Sequence, residues 1–165
     1  MEGIAAGAQI SKASLYRRWP NKAALVFHVV FGAPVPMLDF GPDVEVNLHL
    51  LIQTLSAEFT TPDAQAAMTG LLAEFATHPE LAERVREELL GPSYAAVTAL
   101  LQAGQQSGLF RSDLDLVLVA DMLFGTVFTR ALILDRPLQE GGVTALVDKV
   151  LRSIRSQTAK TKETT

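Results

Sequence analysis

The run Ser11-Lys12-Ala13-Ser14-Leu15-Tyr16-Arg17-Arg18 combines hydroxyl groups, small side chains and fixed positive charge. Written as a helix capped by Ser11 and ending at Trp19, it puts Leu15 and Trp19, four residues apart, on one buried face. Lys12, Ala13, Ser14, Tyr16, Arg17 and Arg18 then point largely outward. The major groove of B-DNA admits one α-helix, and small residues at its N-terminal end let it approach base edges closely. Lysine and arginine neutralise phosphates on either side. The chemistry these residues support is recognition of duplex DNA. Without the motif as a whole, ordinary solvated charge is the preferred reading of Arg17 and Arg18.

Other chemistries find little support. The chain has no cysteine, which excludes disulfides, thiolate metal sites and a cysteine nucleophile. His28, His49 and His78 are far apart and form no metal-ligand spacing. Ser56 and Ser93 lie outside any nucleophile-elbow context, and there is no glycine-rich phosphate loop. The expectation is a protein that is not an enzyme and carries no metal and no cofactor. With no signal-peptide pattern at its start, it is expected in the cytoplasm.

The formal net charge of −4 argues against a general nucleic-acid binder, but its distribution is uneven. Met1 to Phe31 carry Lys12, Arg17, Arg18 and Lys22 against Glu2 alone, about +3, which leaves about −7 on the remainder. A basic head on an acidic body suits a DNA-reading module joined to a domain with another task. A chance cluster on a solvated face is the alternative.

The elements that position these groups read as helical throughout. Three short pieces span the head: Glu2 to Ala8, Lys12 to Trp19 after the Ser11 cap, and a third that Asn21 caps after the Pro20 break and that runs to about Phe31. Pro34 and Pro36 place a domain junction in the stretch Ala33 to Pro42, giving a head of residues 1–33, a body of 34–156 and a polar tail of 157–165. In the body, Asp43 caps a stripe of Val44, Leu48, Leu51, Ile52, Leu55 and Phe59. Thr61-Pro62 opens a second helix, Pro79 a third with Glu80 placed to pair with Arg84, and Pro92 a fourth that Gly108 stops. Two more run from about Asp113 to Leu134 and from about Gly142 to Ser156, with Asp135-Arg136-Pro137 between them.

Leu114 to Leu134 is almost entirely apolar, so burial on every side is expected. It is long enough to suggest a membrane span, but Asp115, Asp121 and Arg130 interrupt it, and no membrane association is expected. The preferred reading is a central helix that packs on its own domain with one face and on a second subunit with the other. The last helix would complete a four-helix interface between two copies. Phe59, Met68, Phe75, Tyr94, Met122, Phe124 and Phe128 fall on inward stripes. They form a pool of residues able to line a cavity for a small apolar effector, although plain core packing is the preferred reading of any single one of them.

Met1 to Phe27 resembles the second half of the DNA-binding domain of the TetR (tetracycline-repressor-like) family, most closely over Ser11 to Lys22, SKASLYRRWPNK. Gly108 to Asp115, followed by an apolar and then an amphipathic helix, is similar to that family's dimerisation half. The resemblance implies an all-α fold: a partial helix-turn-helix followed by an effector-binding and dimerisation domain. It also implies roles. Ser11, Lys12, Ala13 and Ser14 would meet base edges, Tyr16 a phosphate, and Arg17 and Arg18 a phosphate or a base. Lys22 would hold a phosphate at the next helix N-terminus. Leu15, Trp19 and Leu25 would be core.

The sequence departs from that pattern twice. It begins at what looks like the family's second helix, so Ile4, Ala5, Leu15 and Trp19 are expected to lose cover, at roughly 1.5–3 kcal/mol per exposed apolar side chain. Gln9 stands where the family's turn usually has glycine. The function expected is therefore a homodimeric regulator, a repressor that binds operator DNA and is released by a small molecule. The alternative is a dimeric helical small-molecule-binding module whose DNA reading is impaired by the absent helix.

Overall fold

Ser11, Asn21, Asp43, Thr61 and Asp115 each cap a helix with their side chain. In the computed structural model, which describes residues 1–19, 21–31 and 40–156, the elements follow the capping residues closely. They are α1 (Glu2–Gly7), α2 (Lys12–Arg18), α3 (Lys22–Phe31), α4 (Val44–Glu58), α5 (Pro62–Glu74), α6 (Pro79–Arg84), α7 (Gly91–Gln106), α8 (Leu116–Phe128) and α9 (Glu140–Ile154). Asp43 accepts hydrogen bonds from the Glu45 and Val46 amides at 2.9 and 3.1 Å. Thr61 and Asp115 do the same for α5 and α8. The all-α class holds, with only an isolated bridge between Phe110 and Arg155 among the described residues. The Pro20 break, most of the proline-rich junction and the polar tail lie outside the described residues.

The helix expected to start afresh at Pro92 does not. α6, a π-helical turn over Val85–Leu90 and α7 form one continuous rod. The Gly91 amide donates to the Arg86 carbonyl five residues back, the widened π bond. The added residue lets the helix pass a proline that offers no amide and would crowd the turn before it. Gly91 suits this position, since a Cβ there would lie 3.1 Å from the Arg86 oxygen. In this register Arg84 pairs with Glu88, Nε to Oε1 at 3.0 Å, and not with Glu80 as expected. α8 likewise continues through a π segment, Thr129–Ile133, before Asp135 breaks the chain at φ 49°.

The body core gathers Leu48, Ile52 and Leu55 of α4, Val97 and Leu101 of α7, Leu123 and Phe124 of α8, and Val147 and Leu151 of α9. Polar ties fix α9 on α4. Glu45 accepts from Arg155 Nε at 2.8 Å, and His49 bridges the Glu45 carbonyl and the Asp148 carboxylate. Buried Ser56 donates to the Leu138 carbonyl at 3.1 Å. Phe110 fills the notch over Gly104, where a Cβ would lie 2.1 Å from its ring.

Leu116–Ile133 is long and apolar enough to cross a membrane by length and composition. One face, however, is core: Val119, Ala120, Leu123, Phe124 and Val127 are buried. The expectation that this helix is covered on every side fails within the single chain. Val117, Leu118, Met122, Ile133 and Leu134 are exposed. Helical periodicity marks both faces as apolar and does not say which one faces the chain's own core.

Candidate nucleic-acid interface

The turn between α1 and α2 is a Schellman motif. The Ile10 amide donates to the Ala5 carbonyl at 3.1 Å and the Gln9 amide to the Ala6 carbonyl at 3.2 Å. Gln9 holds φ 53°, the left-handed conformation anticipated for this position. Ser11 then caps α2, accepting from the Ser14 amide at 3.1 Å while its hydroxyl donates to Ser14 Oγ at 3.0 Å. Leu15, 2% exposed, anchors the inner face. Asn21 caps α3 by accepting from the Ala24 amide at 2.7 Å.

This framework leaves Ser11, Lys12, Ala13, Ser14, Tyr16, Arg17, Arg18 and Lys22 exposed. Ile10, Ser14, Arg17, Arg18 and Trp19 line an open concavity of about 500 Å³. Lys12 pairs with Glu2 of α1, a contact the sequence reading missed. Both side chains are solvated, so the pair is worth under about 1 kcal/mol and yields readily to a phosphate. Trp19 departs from the core role expected of it. It is half-buried, with its ring 5.4 Å from that of His28 and the Arg18 guanidinium 4.9 Å above it. The expected loss of cover is also smaller than its list of residues implied. Ala5 and Leu15 are buried; Ile4 alone of the four is exposed, at 40%.

α3 links this surface to the body. Phe27 is 2% exposed and belongs to the body core. Its ring lies 6.2 Å from Phe31, Phe31 lies 6.2 Å from Phe59, and Phe59 lies 4.8 Å from Phe128. A continuous aromatic ladder therefore runs from the head helix into the body.

The seven pocket candidates separate. Phe59, Phe124 and Phe128 come together along a seam between α4, the first π-helical turn, α7 and α8. Tyr94 stacks on Phe124 at 4.0 Å and donates its hydroxyl proton to Asp121 at 2.9 Å. Burial, and then the Asp121 carboxylate, push its phenol up to about 12. Met68 is fully buried core, and Phe75 is half-buried at the end of α5; neither lines the seam. Met122 does not turn inward: it is 46% exposed on the opposite face of α8. The remaining lining residues, Leu55, Glu58, Leu89, Leu90, Ser93 and Val127, were not among the candidates. A glutamate at a helix end gives no sign that it faces rings. In this conformation the seam is closed, with a void of about 10 Å³. A more open groove of about 400 Å³ lies between α3 and α5, with Lys22, Asp63 and Glu74 on its rim. Among the described residues no three His, Asp or Glu side chains group as metal ligands.

Comparison with known proteins agrees with this architecture. Residues 1–29 match the model for bacterial regulatory proteins of the tetR family. Residues 41–150 match a tetracyclin repressor-like C-terminal domain. The chain is 28% identical to the HTH-type transcriptional regulator YdeS of Bacillus subtilis over 96% of its own length and 81% of the relative's. It is 30% identical to the DNA-binding transcriptional repressor TetR of Mycobacteroides abscessus, over 92% of this chain and 80% of that one. Among solved structures, the TetR family transcription regulator SCO0332 overlays with a TM-score of 0.70 at 28% identity, covering 94% of this chain and 86% of that one. A regulator from Mesorhizobium loti shares the fold, with a TM-score of 0.67 at 20% identity and the same coverage. Two family models in tandem, relatives across nearly the whole chain and an exposed basic α2 carry one conclusion: this chain belongs to the TetR family of DNA-binding transcriptional regulators.

Proposed function

We propose that the chain is a ligand-responsive repressor that works in the cytoplasm as a homodimer and leaves its operator when a small molecule enters the body. The observation that carries this reading is the uncovered stripe on α8 and the π segment after it. Leu118, Met122 and Ile133 are 58%, 46% and 73% exposed, at helical spacing around an exposed Gly125. Three large apolar side chains on one helix face favour a partner over water, at about 25 cal/mol per Å² buried. A second copy supplies the matching stripe by two-fold symmetry, with α9 beside it, and makes a four-helix interface.

Such a dimer presents α2 twice, and operator half-sites one DNA turn apart, roughly 34–36 Å, fit that arrangement. Ser11 to Ser14 would meet base edges, and Tyr16, Arg17, Arg18 and Lys22 the flanking phosphates and bases. The effector site we favour is the seam at Phe59, Phe124 and Phe128. The aromatic ladder through Phe31 and Phe27 is the route by which a change in seam width reaches α3. The effector acts only through its different affinity for the two spacings of the dimer.

Sedimentation of the full chain, together with anisotropy titrations on DNA upstream of its own gene, tests the reading. A dimer whose specific DNA affinity falls steeply with salt is expected, with Arg17→Ala weakening binding and lowering the salt slope by about one. A monomer at micromolar concentration, or binding that ignores sequence and salt, refutes it.

A further inference from the structure

Glu58 is the unexpected member of the seam. It is the last residue of α4, and the rest of the seam's lining is leucine, valine and phenylalanine side chains with the exception of Ser93. No hydrogen bond or ion pair reaches its side chain among the described residues. Burial alone pushes the carboxyl above its ordinary value. A half-buried carboxylate with no partner is a costly feature in a closed apolar seam. Phe59, Phe124 and Phe128 line the same seam, and the face of an aromatic ring carries negative potential that attracts cations but not anions.

The backbone on both sides of the seam is also unusual. Leu89 and Leu90 belong to the π-helical turn before α7, and Phe128 immediately precedes the π segment after α8. π-Helical turns hold an extra residue in the register and recur at functional sites. Residues of or next to two such turns line this seam.

We propose that the effector is a lipophilic cation, an amine or quaternary ammonium whose nitrogen rests at Glu58 while its apolar part parts the Phe59, Phe124 and Phe128 rings. The inference rests on the ligand-responsive reading above and names the chemical class that site takes. The carboxylate supplies the charge, the rings supply cation–π attraction, and the Leu55 and Val127 side chains supply apolar cover. An anionic effector would be repelled by the Glu58 carboxylate. A neutral one would leave the half-buried carboxylate without a partner. The wider groove between α3 and α5 has Lys22, Asp63 and Glu74 beside Val26, Val30 and Leu71, and no aromatic ring lines it to add cation–π attraction.

Calorimetric titration of the full chain with phenyltrimethylammonium and with N,N-dimethylaniline, uncharged at neutral pH, separates the outcomes. The two probes share the ring and differ in one methyl group and the charge. The ammonium is expected to bind about tenfold more tightly or better. Glu58→Gln, nearly isosteric, is expected to abolish that preference while leaving N,N-dimethylaniline binding within about twofold. Glu58→Asp should retain part of the preference, and Phe128→Leu should weaken the ammonium more than the neutral amine. Circular dichroism of each variant checks that the helices are intact. Equal binding of the two probes to the parent chain overturns the cation assignment and leaves a ligand site standing. A preference that survives in Glu58→Gln overturns it too, since the charge is then read elsewhere. Binding of neither probe overturns both the cation assignment and the choice of this seam.

Discussion

Gln9→Gly is expected to stabilise the DNA-reading head. Gln9 is the C′ residue of α1, held at φ 53° by the two bonds from Gln9 and Ile10 to Ala6 and Ala5. A residue with a Cβ meets its own carbonyl in that conformation, at a cost of roughly 1–2 kcal/mol. Glycine removes this cost but brings more freedom to the unfolded chain, which takes back roughly 0.5–1 kcal/mol. The side chain is exposed and makes no hydrogen bond among the described residues, so nothing else is lost. The net gain is about 0.5–1 kcal/mol, which slows opening-limited amide exchange in α1 and α2 by roughly two- to fivefold. Exchange followed by mass spectrometry over residues 1–19 reads this directly, with peptides from α9 as an internal control. Gln9→Asn should fall between parent and glycine, because asparagine tolerates the left-handed region better. Gln9→Ala keeps the strain and should match the parent or exchange slightly faster. If glycine leaves exchange unchanged or faster, or alanine protects more than glycine, the turn is not strained and the reasoning fails.

Gly104→Ala should destabilise the body by about 2–3 kcal/mol in urea unfolding, because the new Cβ meets the buried Phe110 ring and the α9 end docked beside it cannot shift freely. Glu58→Gln should be more stable than the parent near pH 7. The folded chain holds the Glu58 proton more tightly than the unfolded chain, so ionisation costs stability as pH rises through the raised folded value. Below the ordinary carboxylate value of about 4 that cost is absent, and the two curves should converge. Phe31→Leu interrupts the aromatic ladder between Phe27 and Phe59. It should leave DNA affinity without ligand nearly unchanged while reducing ligand-driven release by about 0.5–2 kcal/mol of coupling, measured by anisotropy with and without phenyltrimethylammonium.

The capping chemistry of this chain was legible before any coordinates. Ser11, Asn21, Asp43 and Thr61 each accept from an amide two or three residues on, because an N-cap depends on its neighbours and on nothing distant. The basic outer face of α2 was legible for the same reason: turning Lys12, Arg17 and Arg18 away from the buried Leu15 needs only a local helix. The interior was harder to read wherever two distant elements had to agree. Arg84 sits four residues from both Glu80 and Glu88, and only the register past Pro92 decides for Glu88. Met122 and Phe124 are neighbours on one apolar helix, and sequence pattern marks both as core-formers. α4 and α7 claim the Phe124 face, while the Met122 face is left to solvent within the single chain.

Glu58 shows the limit most sharply. Its position after a long amphipathic stripe reads as a solvated helix end, and by helical period it does fall beside that stripe. What turns it into a seam residue is the approach of Leu90, Ser93 and Phe128 from elements more than thirty residues away. No local pattern encodes that approach: it is made where the α6–α7 rod packs against α4, and Leu90 belongs to the π-helical turn of that rod. The surroundings of Glu58 are thus set in part by a π-helical turn in a different helix. Straightening that turn should therefore change ligand choice as surely as changing Glu58 itself.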